Sequence, residues 1–227
     1  MVKKIDILGM EIDNYTVREA MIQVEGYLNQ TGMSMIETVS MKMLDMAGEE
    51  SCVKECIRLL DLAVIGEKEI LVAAGFHSNQ RTKEIVEHEF FREFLKRIVR
   101  NRKQVFLLGE QAEDVDKLED YLKEEYEKIL IGGRCSLDEK SGDIEGVVNE
   151  VNGVSPDVVL SILPSPVQEN FLLGNKGKLD AKIWYGIGDD YEAHSGIRRL
   201  SRIAGRMIHK KRLQSQLHKY QNENEAK

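Results

Sequence analysis

The sequence predicts an α/β fold with a doubly wound parallel sheet in its carboxyl-terminal half, a smaller α/β unit before it and a basic helix at its end. Two observations carry that prediction. Short unbroken runs of Val, Ile and Leu, as in "QVFLLGE", "PDVVLSIL" and "AKIWYGIG", alternate with longer amphipathic stretches such as "QAEDVDKLEDYLKEEYEKI". A strand apolar on both faces needs helices over both, which parallel strands joined by helical crossovers provide. The exits of these runs then carry Gly or Pro, which turn the chain at little conformational penalty.

The elements follow in order. "KIDILGMEID" reads as two strand pieces around a turn, and "NYTVREAMIQVEGYLNQTG" as a helix capped by Asn14 or Thr16, with Val17, Ala20, Met21, Val24 and Leu28 at helical spacing. "SMIETVS" is a strand; "MKMLDMAGEE" and "SCVKECIRLLD" are helices around the Gly48 break; "LAVIG" is another strand. "ILVAAG" is too short for periodicity to decide between strand and buried helix. "RTKEIVEHEFFREFLKRIVRNR" predicts an amphipathic helix. After the "QVFLLGE" strand and its helix come "LIGGRC" as strand or turn, "GDIEGVVNEVNGV" as helix, "PDVVLSIL" as strand, "QENFLLGNKGKL" as helix and "AKIWYGIG" as strand. Three parts result: an α/β unit over 1–100, the doubly wound unit over 101–196 and an appendage over 197–227.

Composition narrows the function classes. With 42% hydrophobic and 31% charged residues over 227 positions, the chain can bury a substantial core. No apolar run approaches the roughly 20 residues of a spanning helix, and the opening "MVKKIDILGMEID" is not a secretory signal, so a cytoplasmic location is expected. Cys52, Cys56 and Cys135 are too few for a disulfide framework; Cys52 and Cys56 share a helix face and read as packing. Neither they nor His77 and His88 have ligand spacing, so no metal is expected.

The net charge of −7 is unevenly distributed, since Ile197 to Gln221 hold eight Lys or Arg and no Asp or Glu. There Ile197, Leu200, Ile203 or Ala204, and Met207 or Ile208 recur at helical spacing, with Arg198, Arg199, Arg202 and Arg206 largely between them. A basic amphipathic helix suits an anionic membrane surface. Nucleic acid is the competing partner, and the acidic body and the absence of a recognisable nucleic-acid module argue against it. A surface helix packed on an acidic face of the body is the plain alternative.

In an open parallel sheet, ligands bind beyond the carboxyl ends of the strands. Three exits stand out: Gly109 with Glu110, "PSPVQE" after "VVLSIL", and "GIGDD" after "AKIWY". The chain's three prolines, Pro156, Pro164 and Pro166, gather in or just before the second. The run "PDVVLSILPSPVQENFL" resembles the "VGLGSPKQE" strand and turn of the WecG/TagA/CpsF glycosyltransferases, glycosyltransferase family 26, with Ser165, Pro166, Gln168 and Glu169 matching directly. "ILGMEIDNYTVREAM" resembles that family's opening strand and first helix, "VFLLGE" its "FLLGG" strand, and "IWYGIGDDYEAHSG" its "GVGGAFDFLAG" segment. The ordered set spans nearly the whole chain.

The resemblance implies a Rossmann-like nucleotide-sugar-binding unit over 101–196. It also implies metal-independent, inverting transfer of an N-acetylhexosamine-type sugar, such as N-acetylmannosamine, from a UDP-sugar donor to a polyprenyl-diphosphate-linked acceptor. That chemistry serves cell-surface polysaccharide synthesis at the inner membrane face, with no cofactor; a homo-oligomer is left open. Gly109, Ser165, Gln168, Glu169, Gly188 and Asp189 are then expected to bind substrate. His194, in the last of these segments, is either a sugar or diphosphate contact or an ordinary turn residue.

The amino-terminal half departs from the family pattern. The threonine, proline and asparagine motif becomes Thr38, Val39 and Ser40, keeping the threonine. The aspartate expected in a "PDG" turn is replaced, because "LAVIGEKE" puts Ile65 and Gly66 at the proline and aspartate positions. Glu67 comes one residue late; its extra methylene offers the same reach, or it is a solvated acid in a charged turn. Arg81 falls near a family arginine, with Glu84 and Val86 where glycine and aspartate are expected. Two readings follow: an active divergent transferase with Thr38 and Glu67 catalytic and Ser40 and Arg81 binding substrate, or a degenerate relative kept for binding or assembly.

Overall fold

The computed structural model describes residues 3–187 together with Arg212, Ser215 and Gln216. The chain opens with β1 (Lys4–Ile7) and β2 (Met10–Asp13), an antiparallel hairpin that pairs Ile7 with Met10. Leu8 and Gly9 make its turn, both at positive φ (56° and 75°), as a two-residue turn matched to strand twist requires. There follow α1 (Val17–Asn29), β3 (Ser34–Val39), α2 (Met41–Met46), α3 (Ser51–Leu59), β4 (Leu62–Ile65), α4 (Lys68–Ala73), α5 (Asn79–Val86) and α6 (Glu89–Arg100). The rest alternates: β5 (Gln104–Gly109), α7 (Ala112–Glu125), β6 (Leu130–Ser136), α8 (Ile144–Val154), β7 (Val158–Ser161), α9 (Val167–Asn175) and β8 (Ile183–Gly186).

The expected α/β architecture is present as one six-stranded, all-parallel sheet in the order β4-β3-β8-β7-β5-β6. β3 and β4, from the first hundred residues, are continuous with the later strands because β8 pairs with both β3 and β7. Helices α1, α6 and α7 cover one face, over Ile36, Leu107, Leu160 and Tyr185. Helices α3, α8 and α9 cover the other, over Met35, Phe106, Val159 and Trp184. A third cluster joins the hairpin to α2, α3, α4 and α5 around Ala63 and Ile65.

Local chemistry explains the boundaries. Thr16 begins α1 in a capping box, its hydroxyl accepting from the Glu19 N–H while Glu19 accepts from the Thr16 N–H. Edge strand β4 is protected by Asp13, whose Oδ2 accepts the Ala63 N–H at 2.9 Å. "ILVAAG" resolves as helix, its first four residues lying in α4. The amphipathic stretch from Arg81 is two helices rather than one: Glu87 ends α5, and His88, left-handed at φ 50°, redirects the chain into α6. The apolar pattern continues through that break because Ile85, Phe91 and Leu95 are all buried, so periodicity alone does not reveal it. Among the described residues, no helix is long and apolar enough to cross a membrane.

Candidate functional site

A pocket opens at the carboxyl ends of β3, β4 and β8, on the face covered by α1 and α6. It encloses about 480 Å3 counting its open mouth. Thr38, Gly66, Arg81, Glu84, Asp13 and Tyr185 contribute to its wall. Thr38 and Tyr185 meet across the sheet, hydroxyl to hydroxyl, at 3.0 Å. Tyr185 is fully buried, and burial pushes its phenol well above the ordinary tyrosine range. Gly66 is required by close approach: a Cβ there would stand 2.7 Å from the Thr38 methyl and 3.0 Å from the Val39 carbonyl oxygen.

Arg81 is buried rather than extended toward solvent. Its Nε donates to Asn14 Oδ1 at 3.3 Å, and its guanidinium pairs with Glu84 at 2.6 Å. Glu84 also accepts the Val17 N–H at 3.2 Å, which ties α5 to the start of α1. Glu84 is therefore the counterion of Arg81. Asp13 has its carboxyl pKa raised by burial, with the Ala63 N–H opposing.

Ser40 and Glu67 converge on the first turn of α2. Ser40 caps it, accepting from Met43 N at 3.1 Å, and Glu67 Oε1 accepts from Met41 N at 2.9 Å. Glu67 directly follows the Gly66 wall of the pocket, so the acid one residue late still stands at the exit of β4.

The "PSPVQE" turn lies against the opposite face. Ser165 precedes a cis peptide bond to Pro166, and its hydroxyl donates to Glu169 Oε1 at 2.6 Å. Gln168 and Glu169 are buried at 2% and 0% exposure and are not in the pocket wall. Gln168 occupies the space that glycine leaves at the end of β8, since a Cβ on Gly186 would come within 2.5 Å of its amide. Beside Gly186 in register stands Glu37, wholly buried, with Cys56 Sγ 3.9 Å from its Oε1. Burial raises the Glu37 pKa well above the carboxylate range, the Glu169 charge adds to it, and the Gln168 amide and Cys56 thiol pull the other way. Burial likewise raises the Cys56 thiol.

Gly109 ends β5 away from both groups, and a Cβ there would meet Val115 and Ile162, so its glycine serves helix packing. Gly188, Asp189, His194, Arg198, Arg199, Arg202 and Arg206 lie outside the described residues. Farther along, Arg212 pairs with Asp45 at 3.2 Å and with Glu49, and Gln216 donates to Asp45 at 3.1 Å, which fixes these two residues to α2. Among the described residues, no group of three His, Cys, Asp or Glu is placed to hold a metal ion.

Sequence reasoning missed Tyr185, Glu37 and Asp13. Tyr185 is hidden in an apolar strand where any aromatic reads as core. Glu37 did carry a signal, an acid inside a strand that also holds Met35, Ile36 and Val39.

A model of the Glycosyl transferase WecG/TagA/CpsF family matches residues 5–210. Similar curated proteins include the N-acetylglucosaminyldiphosphoundecaprenol N-acetyl-beta-D-mannosaminyltransferases of Staphylococcus aureus strains NCTC 8325 / PS 47, COL and MSSA476. Each is 24% identical over 201 residues, covering 86% of this chain and 77% of the relative. With its sheet, its strand-end pocket and a family match running from the first strand past the last, the chain belongs to the WecG/TagA/CpsF family of glycosyltransferases.

Proposed function

We propose that the chain transfers an N-acetylhexosamine, N-acetylmannosamine being the leading case, from a UDP donor to a polyprenyl-diphosphate-linked acceptor at the inner face of the cell membrane. The observation that carries the reading is a pocket at the strand ends around Thr38, in a family whose relatives are named for N-acetylmannosaminyl transfer. The acceptor hydroxyl attacks the anomeric carbon as the bond to UDP breaks, and a carboxylate takes the hydroxyl proton. Glu67 is the carboxylate assigned to that step, since it follows the pocket wall at Gly66. Arg81, paired with Glu84, is assigned as a guanidinium N–H donor in the wall, and Thr38 as a hydroxyl. Arg198, Arg199, Arg202 and Arg206 are assigned to the anionic membrane surface.

A second reading, a binding or assembly protein without turnover, is favoured by one feature. Gly66 stands where the family aspartate is expected, and Glu67 is engaged by the Met41 N–H. Calorimetry with UDP and UDP-N-acetylmannosamine, followed by transfer to a lipid-linked acceptor, separates the two. Binding with transfer that falls about 100-fold or more in Glu67→Gln supports the enzyme. Binding without transfer supports a nucleotide-sugar-binding protein, and no binding at millimolar ligand defeats the transferase reading with this donor and leaves the assembly role. Co-sedimentation with anionic vesicles, comparing the full chain with one ending at Gly196, tests the membrane assignment; equal binding by the two would sink it.

A further inference from the structure

We propose that Tyr185 is a positioning residue that holds the Thr38 hydroxyl with its proton directed into the pocket, where it donates to an acceptor oxygen of the bound nucleotide sugar. The proposal rests on the donor-site reading above and adds a residue to that site.

The direction of the hydrogen bond follows from burial. The Tyr185 ring is enclosed by Phe94, edge-on at 4.9 Å between centroids, by Phe90 at 5.7 Å and by Phe91 at 6.3 Å. Its phenol stays protonated, because burial disfavours the phenolate. A buried O–H left without an acceptor is costly, and among the described residues Thr38 Oγ1 is the acceptor at hand. If Thr38 were the donor instead, the phenol proton would have no acceptor among the described residues, so the proposal takes Tyr185 as donor and Thr38 as acceptor.

A threonine hydroxyl has one proton and two lone pairs. With a lone pair taken by Tyr185, its proton is free to serve another acceptor, and accepting a hydrogen bond makes that O–H a stronger donor. The rotamer is fixed from the other side as well, since the Thr38 methyl rests where Gly66 has no Cβ. Thr38, Gly66 and Tyr185 all line the pocket, so the pinned hydroxyl is at its surface. Methyl against Gly66 and oxygen against Tyr185 leave side-chain torsion little freedom, which is the preorganisation a ligand contact needs.

The test is a double-mutant cycle on UDP-N-acetylmannosamine binding by calorimetry, using the full chain, Tyr185→Phe, Thr38→Val and the double variant, with thermal melts on all four. Tyr185→Phe is expected to weaken binding about 5- to 10-fold and Thr38→Val by a similar factor. The double variant should be no weaker than the weaker single to within about 2-fold, because both remove the same contact. Wild-type affinity in Tyr185→Phe overturns the proposal, whether or not its melting temperature falls. So do effects that multiply in the double variant, which would make the two hydroxyls independent. Should Tyr185→Phe not fold, Thr38→Val reads the contact from its other end, and unchanged affinity there also overturns it. No binding by the wild type would instead defeat the donor-site reading itself, and this inference with it.

Discussion

The two faces of the β3–β8 pair carry opposite solutions to one problem, how to keep polar groups at a strand end. On the α1 and α6 face, Thr38 and Tyr185 satisfy one another and border an open pocket. On the α9 face, one residue along each strand, Glu37 and Gly186 meet Gln168 beneath the double-proline turn, all three buried. Alternation of side chains across a strand imposes that division. Adjacent residues of one strand thus differ: Thr38 lines the pocket, whereas Glu37 is a buried acid whose Oε2 has no hydrogen-bond partner among the described residues.

The largest effect should come from the pocket face. Arg81→Ala leaves Glu84 charged and buried, and removing one partner of such a pair costs about 3–5 kcal/mol. Urea denaturation should show that loss, with much of it recovered in Arg81→Ala combined with Glu84→Ala; full stability in the single variant would mean that the pair is a surface feature. Next comes Gly66→Asp, which restores the acid at the family position. The added Cβ meets the Thr38 methyl and the Val39 carbonyl, so a loss of about 1–3 kcal/mol is expected. A variant as stable as wild type would show that Thr38 is not pinned, which bears directly on the role given to Tyr185.

The fold was legible because its signal is repeated: apolar strands, helical spacing and turn residues agree from β5 onward. Joining both halves in one sheet was less legible, since pairing of β3 with β8 links residues about 150 positions apart and leaves no local trace. At the site, Thr38, Glu67 and Arg81 were found at or beside the pocket because a family pattern marks them. Their partners were not, because Tyr185 and Glu84 are defined by what they touch across elements. Gln168 and Glu169 show a different limit: a polar pair after a strand reads as a ligand contact, and the local sequence does not reveal that both side chains are buried.

The buried face can be broken by pH. Glu37 holds its proton in the folded chain to higher pH than in the unfolded chain, with Glu169, Gln168 and Cys56 as its polar surroundings. The folded state then binds more protons once pH rises above the ordinary carboxylate range, and stability falls with pH until the raised value is passed. Glu37→Gln removes that penalty while keeping shape. It should be more stable than wild type by about 1–2 kcal/mol at pH 8, with the difference shrinking below pH 4. Parallel stability curves across that range would show that burial does not raise the Glu37 pKa.

The smallest effect sharpens the boundary between structure and recognition at α2. Ser40 accepts from Met43 N, so Ser40→Ala should lower stability by about 1 kcal/mol through loss of the cap. Ser40→Asn restores the residue expected in the family motif, and asparagine caps as well as serine, so the melting temperature should stay within about 1–2 °C of wild type. Any change in UDP-N-acetylmannosamine affinity in Ser40→Asn is then a property of the ligand site rather than of helix stability. Tighter binding would place position 40 in the recognition surface with Thr38. Unchanged binding, beside the expected loss of stability in Ser40→Ala, would confine Ser40 to holding α2, with Glu67 sharing that task through Met41 N.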